Sequence, residues 1–187
     1  MYDLQAGYKF DRYAQEKFKG FTVCGAALFK IAGDDVATLY VGPEFFYSYT
    51  KYKYDFNSVG QTFTANYNVK FSQQDFQLGV KARSYLFPTT NVRPFFGLSV
   101  GFLSHSDAKI KVDMSASQYG LTLNQKADYR ASSNDLYFNV ELGVDVYKFT
   151  LSVRYLHTKL EYKFAGGDLS TGKLPSNQYS VLLGYSF

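Results

Sequence analysis

Residues 177–187 read NQYSVLLGYSF, and their alternation decides the fold. Every second position back from the end gives Phe187, Tyr185, Leu183, Val181 and Tyr179, all apolar or aromatic. Between them lie Ser186, Gly184, Leu182, Ser180 and Gln178, mostly small or polar. Period-two alternation puts the two sets on opposite faces of a β-strand. A greasy face that continues to the last residue is out of place in water, where chain ends fray. It suits a strand that closes a barrel and turns that face toward lipid.

Working outward, the same alternation recurs in eight segments. The first runs from Tyr2 to Asp11, the second from Phe21 to Ile31, and the third from Thr38 to about Tyr54. The fourth ends at Phe87, the fifth carries Phe96, Leu98, Val100 and Phe102, and the sixth carries Leu136 through Val146. The seventh shows Phe149, Leu151, Val153 and Tyr155. Residues 32–35, 88–91 and 147–148 are short turn signals. Longer connections are expected near residues 12–20, 55–60, 104–134 and 165–176. Pro43 falls inside the third segment and predicts a bulge or a missing ladder bond. Both termini then share the end that carries the short turns. The fold class this predicts is an all-β, eight-stranded, antiparallel up-and-down transmembrane β-barrel, one domain spanning residues 1–187.

Composition agrees. Tyr and Phe occur 18 times each, and charged residues make up only 19%. No apolar run approaches the roughly 20 residues of a spanning helix. Met1 runs directly into strand-like sequence, so the chain is expected to be a mature form without its leader. One cysteine, Cys24, excludes an intramolecular disulfide and is read as a small interior filler. The net charge of +4 is too small and too dispersed for a nucleic-acid footprint, and no metal or cofactor motif is present.

A soluble eight-stranded barrel is the structural rival, with apolar side chains inside and polar ones outside. Two features favour the inverted polarity. The polar face carries Gly7, Gly42, Gly79, Gly97, Gly101, Gly143 and Gly184 beside long charged residues. A narrow interior needs such small residues, whereas on a solvated surface glycine only weakens a strand. The apolar bands also end in rings, among them Phe10, Phe21, Tyr49, Phe149 and Tyr155, like the interfacial girdles of membrane barrels. With the polar face inward, Glu44, Glu141 and Asp145 are expected to pair with Lys81, Arg83 and Arg154 as a plug across the lumen. Such a plug predicts little or no conductance.

On these residues the chain resembles the small eight-stranded outer-membrane barrels, namely the outer membrane protein A transmembrane domain and the OmpX/Ail type. The resemblance implies a monomer in the outer membrane of a Gram-negative bacterium, with periplasmic termini. It further implies that Tyr179, Val181, Leu183, Tyr185 and Phe187 form the signal read by the barrel-assembly machinery. The chain is expected to differ from full-length outer membrane protein A in having no periplasmic peptidoglycan-binding domain. Outer-membrane lipid A deacylases use a His and a nearby Ser. His157 stands at a comparable place, but Lys159 occupies the position of the Ser, so no catalysis is expected. His105 lies among Ser104, Ser106 and Asp107, whose side chains alternate faces and cannot converge as a triad.

Above the apolar bands, outward parity carries Lys51, Lys53, Lys70, Lys159 and Lys163. Lysine suits the phosphates of an outer leaflet built from lipopolysaccharide. The expected role is structural or interactive: membrane stabilisation and loop display toward lipopolysaccharide, host surfaces or proteins. A channel for small solutes or hydrophobic compounds is the second reading, and a lipid-modifying enzyme the third.

Overall fold

In the computed structural model the described residues are 1–13, 16–59, 63–118, 121–161, 163–164 and 173–187. They form eight strands. β1 is Tyr2–Tyr13, and β2 is Glu16–Ala27 resuming as Phe29–Gly33. β3 is Ala37–Val59, β4 Phe63–Leu86, β5 Val92–Gln118 and β6 Leu121–Val146. β7 is Phe149–Glu161, continued by Lys163–Phe164, and β8 is Lys173–Ser186. Each strand pairs antiparallel with its neighbours in sequence, and β8 pairs with β1, so the sheet closes. The seam is finished by Tyr2 N–H donating to the Phe187 carbonyl at 2.7 Å and Phe187 N–H to that of Tyr2 at 2.9 Å. Closure leaves no edge in the wall, the condition for a strand structure in hydrocarbon.

The three tight turns lie at one end. Asp34 folds the first by accepting from the N–H groups of Val36 and Ala37 at 2.9 and 3.0 Å. Those N–H groups, Ala37 first, hold its carboxyl below the usual range. Its contribution is therefore complete above that range and fades as pH falls through the lowered value. Gly33 enters this turn at φ 140°, a conformation open to glycine. The third turn is a two-residue loop between the pair Val146 and Phe149, with Tyr147 at φ 57°.

Pro43 interrupts the wall as expected. Pairing of β2 with β3 skips Ala27 and Leu28, opposite Pro43 and Gly42; it resumes in the same register at Phe29, and a shift follows between Lys30 and Ala32. A proline has no N–H to give the ladder. The residue 104–134 passage, expected as a loop carried on strand extensions, is extension almost throughout: β5 and β6 pair through it to Gln118 and Leu121, with a register shift between His105 and Ala108. Likewise β3 and β4 pair as far as Val59 and Thr64. Polar alternating residues on both faces make a solvated ribbon, which hydropathy alone reads as a loop.

The wall has its polarity reversed relative to a soluble barrel. Leu78, Phe102, Leu136, Leu142, Phe149 and Leu183 are exposed on the outside, while Lys9, Arg83, Glu141 and Arg154 are buried inside. A continuous apolar exterior of this extent is a membrane surface. Leu142, near the middle of the band and 60% exposed, tests this directly. Leu142→Arg is expected to lower the unfolding free energy in phospholipid vesicles by about 2–4 kcal/mol. A denaturant titration showing no loss would mean that this face meets water.

Candidate functional site: the charged lumen and the outer rim

Every second residue of each strand points to the axis, and the lumen is just wide enough for side chains to fill. The central cluster is a knot of three acids and three bases. Lys81 Nζ meets Glu44 Oε2 at 2.9 Å and also bonds Glu141. Arg154 Nη2 donates to Glu44 at 3.0 Å and to Glu141 at 3.3 Å. Arg83 Nη2 reaches Glu141 Oε1 at 3.3 Å and Asp3 Oδ2 at 2.5 Å. The guanidinium of Arg83 lies 4.2 Å from the ring centre of Phe95, and that of Arg154 lies 5.1 Å from that of Phe46. Ions on flat rings fill the lumen with few gaps. Charges this deep persist only when paired and hydrogen-bonded.

Asp145 does not belong to that knot. It lies toward the terminal end, where it accepts from Tyr85 at 2.8 Å, Thr150 at 2.7 Å and Arg93 at 3.3 Å. Tyr85 also accepts from Arg83 at 3.0 Å, which links the two groups. Sequence parity gives the inward face but not the height at which two strands meet. Parity therefore grouped Asp145 with the central charges and passed over Asp3, which bonds Arg83. A third group, toward the hairpin end, holds Lys9 against Asp75 at 2.6 Å and Ser48 at 2.8 Å. Asp75 was missed because it lies one step beyond the clearest part of the fourth segment, although its inward parity was readable.

Between these layers Tyr137 extends from β6 across Gly101 of β5 to Gly79 of β4. A Cβ on Gly79 would sit 2.3 Å from the Tyr137 hydroxyl and 2.4 Å from the Val100 carbonyl oxygen. The side chains of Gln77, Asn139 and Gln178 are buried and make no protein hydrogen bond. Buried amides without a protein partner are uncommon, and these three lie between the charged layers.

The proposed assembly face is exposed on the outer wall: Tyr179, Val181, Leu183, Tyr185 and Phe187 all point outward. Phe187 stacks at 6.1 Å on Tyr2 and 5.8 Å on Tyr185, extending the ring row across the seam. At the outer rim Lys51, Lys53 and Lys70 are exposed on neighbouring strands, and Lys53 pairs in register with Lys70. Lys159 and Lys163 fall on β7 and its continuation, across the barrel from β3 and β4, and their side chains lie outside the described residues. Lys19 was missed; it pairs in register with Lys51 and is exposed two residues before Phe21.

His157 is half-buried near the rim. Its Nδ1 is 2.9 Å from Asn177 Oδ1, which also accepts from the Tyr155 hydroxyl at 2.9 Å. The side chain of His105 lies outside the described residues. Cys24 is buried inside with Phe46 and Leu182 and contacts Gln5 Oε1 at 3.7 Å.

The architecture matches solved structures over its full length. The outer-membrane enzyme PagL is 13% identical with a TM-score of 0.56, covering 99% of each chain. Ail, the attachment invasion locus protein of Yersinia pestis, is 11% identical over 100% of this chain and 97% of its own, with a TM-score of 0.47. Neisserial surface protein A is 15% identical over 100% and 96%, also at 0.47. No protein-family model and no curated protein sequence matches the chain. At these identities the likeness is one of fold. The chain folds as a small eight-stranded outer-membrane β-barrel.

Proposed function

We propose that this barrel is a surface-display protein of the Gram-negative outer membrane. It holds a rigid sheet outside the cell while its lumen stays closed. The observation that carries this reading is the length of β3–β6. Past Lys51, β3 continues to Val59, and β6 reaches back to Leu121. Between them β4 and β5 remain paired, so four strands stand beyond the wall as one sheet. A sheet of this length offers backbone and side chains to a partner chain outside the membrane. The termini and tight turns then face the periplasm, following the asymmetry of such barrels.

The channel reading requires a continuous aqueous path, and the acid–base knot lies across it. In planar bilayers the purified chain is expected to show no steady conductance; regular large openings would favour the channel. Trimming residues 52–72 and 106–132 to short turns should leave heat-modifiable folding intact and reduce surface attachment of expressing cells to the empty-vector level. Attachment unchanged by that trimming would refute display as the role. No catalysis is assigned: the His157 imidazole is engaged by Asn177, and Lys159 stands where a nucleophile would be needed.

A further inference from the structure

We infer that the outer rim of β2–β4 is a binding site for a lipid carrying two or more phosphates. The backbone register stacks like charges across three strands. Lys19 is directly opposite Lys51, and Lys53 is directly opposite Lys70. Register continues the row to β5, where Lys111 is opposite Lys70. Like charges facing each other across a sheet destabilise it, and opposite charges are the usual solution. Among the described side chains Asp55 reaches Lys53 at 2.8 Å, with both about half exposed, and register places Asp128 of β6 opposite Lys111. Lys51 is placed over the Tyr49 ring at 5.2 Å, which fixes its stem without neutralising it.

Three of these lysines, Lys51, Lys53 and Lys70, line a furrow of about 540 Å³ together with Tyr49 and Ser72. Beside it β4 carries a bulge relative to β5, between Ser72 and Gln74, which opens the wall locally. Directly opposed residues have Cβ atoms about 5 Å apart and next-but-one residues on a strand about 7 Å. Three or four ammonium groups therefore converge on an area the size of two phosphates. Lysine binds phosphate as a point charge, so several around one furrow favour a multiply charged anion.

The position of the patch selects a lipid over a soluble anion. One outward step below Lys19 and Lys51 lie Phe21 and Tyr49, with ring centres 5.8 Å apart, and Tyr47 adjoins Phe76 at 4.9 Å. These rings mark the top of the apolar wall, where lipid headgroups begin. A lipid with acyl chains along Phe21, Tyr47 and Phe76 has its phosphates at the lysines. Across the barrel, His157 Nδ1 and the Tyr155 hydroxyl both meet Asn177 Oδ1 at the comparable level.

The experiment titrates the folded chain in neutral detergent micelles with lipid A bearing two phosphates. Fully dephosphorylated lipid A, inorganic phosphate and a heparin fragment serve as the other arms. Lys51→Ala/Lys53→Ala/Lys70→Ala is expected to weaken binding of the bisphosphorylated lipid by about tenfold or more, an effect of about 1.4 kcal/mol or greater. The matching triple Lys→Arg variant should retain it, and Lys148→Ala at the opposite end should leave it unchanged. Added salt should weaken it. If the triple-alanine chain fails the heat-modifiability test for folding, Lys19→Gln and Lys51→Gln are measured singly, each with a smaller loss expected. Undiminished binding by the folded variants would overturn the assignment. So would equal affinity for dephosphorylated lipid A, or displacement at similar concentrations by inorganic phosphate or heparin. Conductance does not depend on this result, and the hairpin is also trimmed with Lys53 and Lys70 kept (residues 54–69 removed), so loss of attachment and loss of lipid binding are read separately.

Discussion

Glu141→Ala is expected to lower the unfolding free energy by about 3–5 kcal/mol, the cost of leaving a buried charge without its partner. Glu141 is shared by Lys81, Arg83 and Arg154, all buried. Its removal leaves those three cations with Glu44 and Asp3, one positive charge in excess. Water entering the lumen relieves part of this, so the variant should also show conductance that the parent lacks. The loss should be largely reversed by Lys81→Met on a Glu141→Gln background, because the neutralised pair no longer carries an uncompensated charge. Asp145→Ala is the internal contrast. Its cation, Arg93, is 25% exposed at the terminal end and can be hydrated, so a smaller loss is expected. Urea titrations in phospholipid vesicles read all four chains. Equal losses for Glu141 and Asp145 would show that the central knot is hydrated throughout.

Phe187→Ala separates folding from delivery. The backbone bonds between Tyr2 and Phe187 do not use the ring, which is 62% exposed on the outer wall. Removing it forfeits a lipid-facing ring and its contacts with Tyr2 and Tyr185, and the seam persists. Refolding of the purified variant into detergent micelles is therefore expected to proceed as for the parent. In cells, the amount of heat-modifiable barrel in the outer membrane is expected to fall severely, because the assembly machinery is proposed to read the outward face from Tyr179 to Phe187. Adding a short polar tail after Phe187 should act in the same direction. Normal cellular assembly of both variants would remove the C-terminal strand from that role.

The residues show how far local pattern reaches. Alternation assigned Cys24, Lys81, Arg83, Tyr85, Glu141 and Leu156 to one side and Leu78, Val100, Leu142 and Phe187 to the other, as their burial shows. Parity is a property of the strand itself, carried by two-residue periodicity, and needs no partner. Pro43 was similarly legible, because a missing N–H is missing in any fold. Legibility ended where strands had to be aligned. Asp145 meets Arg93 and Arg83 meets Asp3 because the closed sheet staggers each strand against the next. Asp75 reaches Lys9 across the lumen, from β4 to β1.

The sequence by itself determined the strand number, the two faces, the inverted polarity and the turn positions, all consequences of residue type at alternating positions. The tertiary structure decided which buried charges meet in one centre, how far β3–β6 run beyond the wall, and that Lys19, Lys51, Lys53 and Lys70 lie side by side on β2–β4. Those depend on the shear of a closed barrel, which is set by all eight strands together and written in no single one.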